Sequence, residues 1–477
     1  MALRVCVAVA VLNAVAWAVI TPTFQVPDEL VHVGYVQYLA ETGDLPTPTS
    51  VTGTIASEEI AVGAAVIPFS TAAKPTWSSA ADKRAERELQ RPMDRTERKS
   101  GGYVASNPPL YYALAAIPYR VAESASLYDR ILAMRLLSAF FAGLLAVFVF
   151  LFLRELMPAY PLGATVGTLG VVLHPLTGFM AGGVSPEILV WVVCAAIFWL
   201  LARAFRRGLT LHSGLVLGLV IAAGLLTKLS VLTLVPGLVV AFALLVLAAP
   251  RGRRRRPAFL GAAAALACAA VIPQVWATLS DALFGQPAAG GAAAAATVTS
   301  NAGNVRELLT YIWQFYLPRL PFMTDQFTAY PQYPLWETYF HGFVGRFGWF
   351  EYGFPGWVNQ IGLAVSACIL AAAGASLIHC RAAVRRRWAE LFAYTAIAAS
   401  VALLVNVAGY RYRHDTGDNF EQTRYLFPLL PLYAALLALA ARAVAVRYRA
   451  QAAALLILAL AAHNVFAQFL SVYRYYL

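Results

Sequence analysis

The sequence predicts an all-α, polytopic membrane protein. Hydrophobic residues make up 60% of the chain and charged residues only 13%. Mean hydropathy is +0.65. Apolar stretches long enough to cross a bilayer recur from end to end, and a helix that satisfies its own backbone is what such a crossing requires. An ordinary soluble domain is excluded by this composition. Recurrence of the stretches makes the chain polytopic rather than singly anchored.

Windows of about 19 residues place about eleven spans. They lie near 3–21, 131–153, 160–180, 186–202, 212–227, 229–249, 257–277, 358–379, 389–409, 425–441 and 451–470. Only Thr227 and Lys228 divide the fifth from the sixth. The first has the length of a signal peptide, but no small-residue cleavage site follows it, so it is read as retained.

Formal net charge is +12, and arginine dominates it; Lys74, Lys83, Lys99 and Lys228 are the only lysines. Nucleic acid is not needed to explain this charge. The arginines gather in alternate connections: Arg154; Arg203, Arg206 and Arg207; positions 251 and 253–256; Arg381 and 385–387; Arg442, Arg447 and Arg449. The positive-inside rule puts these in the cytoplasm. The N-terminus is then inside and the C-terminus outside, and two long loops, 22–130 and 278–357, face outward. The chain divides into a first membrane module (1–277, including the first outer loop), the second outer loop (278–357) and a C-terminal transmembrane module (358–477). The mixed-charge stretch DKRAERELQRPMDRTERK (82–99) is external and reads as a solvated helix. Cys6, Cys194, Cys268, Cys368 and Cys380 lie in or beside spans, with neither a disulfide framework nor metal-ligand spacing.

In the first outer loop, residues 28–43 read as an amphipathic helix on the membrane surface. Residues 45–101 are polar, and NPPLYYALAAIPYRVAE (107–123) reads as a second surface helix. The second outer loop begins with a low-complexity stretch, 286–303. Its remainder is dense in aromatic residues and proline (YIWQFYLPRLPF, YPQYPLWETYF, GRFGWFEYGFPGWV), as expected of a segment packed on the membrane domain or lining a cavity.

Asp28, Glu29 and His32 stand at the outer mouth of the first span. Ionisable groups there are costly unless solvated, paired or used. Helix capping accounts for an acidic pair; a general base acting on a lipid-linked substrate does so equally. Glu187 opens a later span on the same side, either as a cap or as a second acid facing Asp28. His174 reads as an interfacial histidine. Lys228 is either a snorkelling lysine or a cation for phosphate. Arg411, Arg413 and Arg424 are arginines of an outer loop, and Arg424 directly precedes a span, where a bidentate guanidinium suits phosphate. The arginine run at 251–256 is a cytoplasmic anchor.

The order "span, PDE-x-x-H-x-x-Y, long loop with NPPLYY, span" resembles the GT-C glycosyltransferases. It is similar in particular to a family of bacterial membrane proteins near the protein O-mannosyltransferases and aminoarabinose transferases. VSPEILVW, GLLTKLSVLTLVP, GRFGWFEYGFPGWV and QTRYLFPLLPL extend the resemblance over most of the chain. It implies a GT-C-like fold in a bacterial plasma membrane. It also implies an inverting transfer of sugar from a polyprenyl-phosphate donor to an extracytoplasmic glycan or protein acceptor, with no cofactor and no required divalent metal. By the family pattern Asp28 is the catalytic base with Glu29 beside it, and Lys228 and Arg424 bind the donor phosphate. His32, Tyr35, Glu187, Arg411 and Arg413 are candidate substrate-binding residues; Glu187 stands where the family often has Asp. The rivals are a lipid-linked glycan transporter or flippase, which should show broken helices or two pseudo-symmetric halves, and a non-enzymatic envelope assembly protein. The hydropathy pattern shows neither broken helices nor paired halves.

The topology has a direct test. A cysteine introduced at Ser78 should react with an impermeant thiol reagent applied outside sealed cells, and one at Arg254 should not. Reaction at Arg254 would reverse the orientation.

Overall fold

A computed structural model describes residues 1–49, 55–68, 75–249, 255–285, 304–329, 333–417, 419 and 421–477. The stretch 286–303 and most of the arginine run at 251–256 lie outside the described residues.

Helix α1 (Ala2–Ile20) crosses first. The first long loop, expected to face outward, then carries α2 (Glu29–Thr42), α3 (Glu58–Ala64), α4 (Ser79–Leu89) and α5 (Leu110–Val121). The bundle continues with α6 (Leu127–Leu156), α7 (Pro161–Val172), α8 (Pro175–Ala181), α9 (Glu187–Arg207), α10 (Leu211–Thr227), α11 (Val235–Ala248) and α12 (Arg255–Phe284). The second long loop holds α13 (Val305–Tyr316), α14 (Leu335–Gly345) and two antiparallel ribbons, Thr328–Ala329 with Tyr333–Pro334 and Arg346–Phe347 with Tyr352–Gly353. Four helices follow: α15 (Gly356–His379), the short α16 (Arg381–Arg386), α17 (Trp388–Thr416) and α18 (Leu430–Arg442). The last is α19 (Arg449–Tyr476).

Among the described residues, nine helices are long and apolar enough to cross a membrane, and the bent pair α7–α8 makes a tenth. Helix α10, at 17 residues, is apolar but shorter. Length and composition therefore establish nine or ten spans, short of the expected eleven. The chain also contains a sharply bent helix pair, a broken span or a re-entrant loop, which the hydropathy pattern did not reveal: α7 and α8 meet at 62°. Pro175 lacks the N–H that would continue the ladder, so the helix breaks at His174–Pro175. Hydropathy is blind to this because both halves are equally apolar.

Small residues let the helices approach closely, as packing within a bilayer requires. A Cβ on Gly214 of α10 would stand 2.0 Å from the Gly261 carbonyl oxygen of α12, and one on Gly237 of α11 would stand 2.3 Å from Cα of Ile397 on α17.

The first long loop is more deeply packed than an amphipathic surface helix would be. In α2, every residue from Glu29 to Tyr38 is buried. Its polar side chains find partners inside the loop: Gln37 donates to Glu59 at 2.6 Å, and Arg130 donates to the same Glu59. Helix α4 is the solvated helix expected of the mixed-charge stretch 82–99, but it ends at Leu89, and residues 90–99 continue as turns and irregular chain. Only Ala85 is buried in the helix, and Ser78 caps it by accepting from Ala81 N–H at 3.1 Å. The end of α19 returns to the first long loop, where Trp77 N–H donates to the Tyr475 carbonyl at 2.7 Å. The aromatic second loop packs on the bundle, with the Phe347 ring 5.5 Å from Trp17 and Phe343 4.6 Å from His174. It also lines a cavity of about 500 Å³ together with Thr423, Phe427 and Leu430.

Gly214→Val should lower the thermal denaturation midpoint of the purified protein by the equivalent of about 1–3 kcal/mol. Gly374→Ala, at a helical glycine with nothing within 4 Å of the added Cβ, should leave it unchanged or slightly raised. Equal effects of the two would show that α10 and α12 do not meet closely.

Candidate active site

Four elements meet at one face of the bundle: the start of α2, the start of α9, the end of α10 and the 3-10 turn Thr423–Leu429 that opens α18. Each delivers a charged or polar side chain.

Asp28 is the N-cap of α2 and has φ +64°. That left-handed conformation is uncommon outside glycine but tolerated by Asp. The carboxylate is 7% exposed. Arg424 Nη2 donates to Oδ2 at 2.6 Å, and the Tyr103 hydroxyl donates to Oδ1. Burial pushes the Asp28 carboxyl up. The charge of Arg424, with help from its other neighbours, outweighs burial and holds it below the usual carboxylate range. Asp28 is therefore ionised at neutral pH.

Arg424 reaches in the other direction too. Its Nε stands 4.0 Å from Glu187 Oε1, and Lys228 Nζ donates to that same oxygen at 2.6 Å. Lys228 is the C-cap of α10, where the helix ends and a 3-10 turn begins. Asp28, Arg424, Glu187 and Lys228 thus form a row of alternating charge. The row is assembled from residues as far as 396 positions apart. Nε and Nη1 of Arg424 are buried and have no hydrogen-bond partner. Buried guanidinium N–H groups left this way are rare in a settled site. Donors left without an acceptor in this way can each take an anionic oxygen.

A second shelf lies along α2. His32 Nδ1 is 3.0 Å from the Tyr112 hydroxyl, which also accepts from Asn107 Nδ2 at 3.0 Å. Burial, foremost, lowers the His32 pKa to about 3, so the imidazole is neutral. The Tyr35 ring stacks on Tyr112 with centroids 3.7 Å apart and planes at 9°. Among the described residues, no group of three or more His, Cys, Asp or Glu is placed to hold a metal.

Glu29 is adjacent in sequence but differently used. It is wholly buried. Arg135 grips it with two bonds, Nε to Oε1 at 2.7 Å and Nη2 to Oε2 at 2.6 Å. Phe24 N–H donates to Oε2 at 2.8 Å and Val184 N–H to Oε1 at 3.0 Å. These four bonds occupy its lone pairs. Arg413 is likewise turned elsewhere, bonding Glu421 at 3.0 Å and Asn419 at 2.8 Å, while Tyr311 donates to Glu421. Arg411 lies half-buried on the same last turns of α17. His174 is enclosed by the rings of Phe343, Phe427 and Tyr433.

Sequence reading missed Tyr103 and Arg135. Nothing in the run GGYVAS singles out Tyr103. Arg135 did carry a signal, being a charge inside an apolar span, which calls for a partner.

The helical bundle with its packed long loops is a membrane fold of the GT-C type. It is similar to the oligosaccharyltransferase AglB of Archaeoglobus fulgidus in complex with an inhibitory peptide and a dolichol-phosphate. That match has 14% identity and a TM-score of 0.52, over 98% of this chain and 56% of that one. The apo form of an Archaeoglobus fulgidus oligosaccharyltransferase gives 13% and 0.52 over the same shares. ArnT of Cupriavidus metallidurans bound to undecaprenyl phosphate gives 12% and 0.49, over 99% of this chain and 76% of that one. At such identities the likeness concerns the fold, and the chain spans little more than half the length of the oligosaccharyltransferases. Residues 11–433 match the family of predicted membrane proteins designated DUF2142, and the chain belongs to that family. No curated protein matches.

The contrast between neighbouring acids is testable. Glu29→Gln leaves Arg135 charged, buried and short of an anion, so it should cost about 3–5 kcal/mol of stability, read as a lowered denaturation midpoint. Asp28→Asn should cost less, because Asp28 takes one bond from Arg424 and one from Tyr103 where Glu29 takes two from Arg135 and two from backbone N–H groups. A Glu29→Gln protein of wild-type stability would contradict the anchoring role.

Proposed function

We propose that this protein is a membrane glycosyltransferase. In this reading it moves a sugar from a polyprenyl-phosphate donor to a glycan or protein acceptor of the cell envelope, with inversion, on the outer face of a bacterial plasma membrane. The observation that carries the reading is the charge row Asp28–Arg424–Glu187–Lys228 with its two unpartnered Arg424 donors. The GT-C-type fold supports it.

The donor phosphate enters beside Arg424 and Lys228, and its oxygens take up the guanidinium N–H groups that have no acceptor. The acceptor oxygen then attacks the anomeric carbon from the side opposite the phosphate. The new glycosidic C–O bond forms as the bond from the sugar to the phosphate oxygen breaks. The acceptor proton passes to Asp28, and the lipid phosphate leaves with the electron pair, its charge neutralised by Arg424 and Lys228. Asp28 is a weak base while Arg424 holds it. A phosphate that draws Arg424 toward itself relieves that hold and raises the affinity of Asp28 for a proton, so donor binding prepares the base. Glu187 keeps Lys228 and Arg424 in register until the phosphate arrives. Tyr35, Tyr112 and His32 offer an aromatic shelf with a neutral polar edge for a sugar or acceptor.

The bent pair α7–α8 is the one feature that a transporter would share. It weighs little here, because its break is packed with aromatic rings and carries no charged pair.

Asp28→Asn should fold and bind donor but lose transfer. The amide keeps the shape and cannot accept the proton. Lys228→Met and Arg424→Met should each weaken polyprenyl-phosphate binding about tenfold, as the loss of a charge-assisted bond of about 1.5–3 kcal/mol implies. The double variant should lose less than the sum, because the two share one ligand. The assay is transfer from purified lipid donor, with donor binding measured separately. Wild-type turnover by Asp28→Asn would reject it as the base, and undiminished donor binding in both methionine variants would reject the phosphate site.

A further inference from the structure

A cavity lined by three arginines lies at the opposite face of the bundle. We infer that the cavity between the 157–160 turn, the end of α15, α16, the end of α18 and the start of α19 binds the headgroup of an anionic phospholipid. This inference stands apart from the transferase reading and uses none of its residues.

The face follows from the direction of the helices. Helix α6 leaves the Asp28 side and ends at Leu156; α9 starts there with Glu187 and ends at Arg207; α18 starts beside Arg424 and ends at Arg442. Their far ends are tied to one another. Arg206 and Arg207 pair with Glu155 at 2.6 and 3.0 Å. Arg387 pairs with Glu390 and donates to the Leu156 carbonyl. Beside these closed pairs is a cavity of about 300 Å³.

Three arginines, Arg387, Arg442 and Arg449, line this cavity, and no carboxylate does. Arg387 is committed to Glu390. Arg442 has no side-chain hydrogen bond or ion pair among the described residues. Arg449 makes one long bond, Nε to the Val444 carbonyl at 3.4 Å. The independent sign of a ligand is Tyr160. Its ring is 8% exposed, its hydroxyl is buried, and that hydroxyl has no partner. The ring cannot easily turn away, since it lies against Gly163, where a Cβ would stand 2.5 Å from Cδ1. The Arg449 guanidinium carbon is 5.6 Å from the ring centroid. An orphaned hydroxyl beside two arginines without carboxylates can donate to the same anion that they do.

The remaining lining decides which anion. Leu377, Val384 and Leu439 supply apolar walls, and the cavity sits at the ends of membrane-spanning helices, at the depth of phospholipid headgroups. A phosphodiester takes donors from Tyr160, Arg442 and Arg449, and the first methylenes of its acyl chains cover the leucines. A choline or ethanolamine headgroup would bring a cation among three arginines with no carboxylate to receive it. Basic pockets between helices at the cytoplasmic side are suited to anionic headgroups in this way.

The test uses the full-length purified protein in detergent, titrated with phosphatidylglycerol or phosphatidylcholine of matched acyl chains. Bound lipid is counted by native mass spectrometry and its effect on the thermal midpoint is recorded. Wild type should prefer phosphatidylglycerol and be stabilised by it. An arginine near such a headgroup contributes about fivefold in affinity, so Arg442→Gln/Arg449→Gln should reduce the preference by more than about fivefold but by less than the roughly 25-fold of two independent sites, because the two share one ligand. Tyr160→Phe should reduce it by a smaller factor, and it serves as the deciding variant if the double change does not fold. Arg424→Met should keep the preference. The inference is overturned by equal binding of the two lipids, by a preference that survives both the double and the Tyr160 changes, or by loss of the preference in Arg424→Met, which would move the lipid to the other face. Displacement of the lipid by inorganic phosphate at millimolar concentration would also overturn it, in favour of a soluble anion.

Discussion

The buried pair of Glu29 and Arg135 is the contact on which the arrangement of the site depends. Glu29 accepts four bonds, two from Arg135 on α6 and two from the backbone of Phe24 and Val184. Arg135 also donates to the carbonyls of Ala18, Thr21 and Pro22 at 2.7, 2.7 and 3.0 Å. One ion pair therefore fixes the end of α1, the turn into α2, the middle of α6 and the chain just before α9. Asp28 and Glu187 sit one and three residues from two of those anchored points. A buried pair of this sort need not add net stability over an apolar substitute. Its worth here is geometric: it holds a left-handed Asp28 in place while leaving that carboxylate for other work.

The site balances charge without saturating it. Two carboxylates and two cations alternate, so no net charge has to be buried. Yet Arg424 carries N–H groups with no acceptor, and Lys228 is 19% exposed in its side chain. Full pairing would leave nothing for a ligand to gain. Lack of pairing would make the empty site too costly to bury. An anionic oxygen entering here exchanges weak internal contacts for charge-assisted ones.

The two long loops contribute as packing rather than as covering. Helix α2 is enclosed because α3, α5 and the neighbouring turns satisfy its polar residues from outside. The network of Glu59, Arg130, Gln37 and Tyr119 holds this cap together, and the aromatic second loop wedges Phe343 and Phe347 against the broken α7–α8. The break gives that loop a seat, since a straight span would fill the space that these rings occupy.

Most of the fold was legible in the sequence, because hydropathy and arginine placement act locally and repeat. Each apolar stretch must form a helix to satisfy its own backbone in lipid, so spans, long loops and the solvated 82–99 segment followed without tertiary knowledge. Asp28, Glu187, Lys228 and Arg424 were legible as charges where charges are costly. Their mutual contacts were not, since bonds between residues up to 396 positions apart exist only once helix ends converge. Glu29 and Asp28 could not be told apart locally: they are adjacent, both acidic, and both suited to a helix start. Tyr103 had no local signal at all, and the bend at Pro175 was hidden by uniform hydropathy. By itself the sequence determined that the chain is a helical membrane protein, where most of its apolar helices lie and which side chains had to find partners. Only the tertiary structure decided which partner each found, because an ion pair removed from water is set by the meeting of distant chain segments and not by the residues beside it.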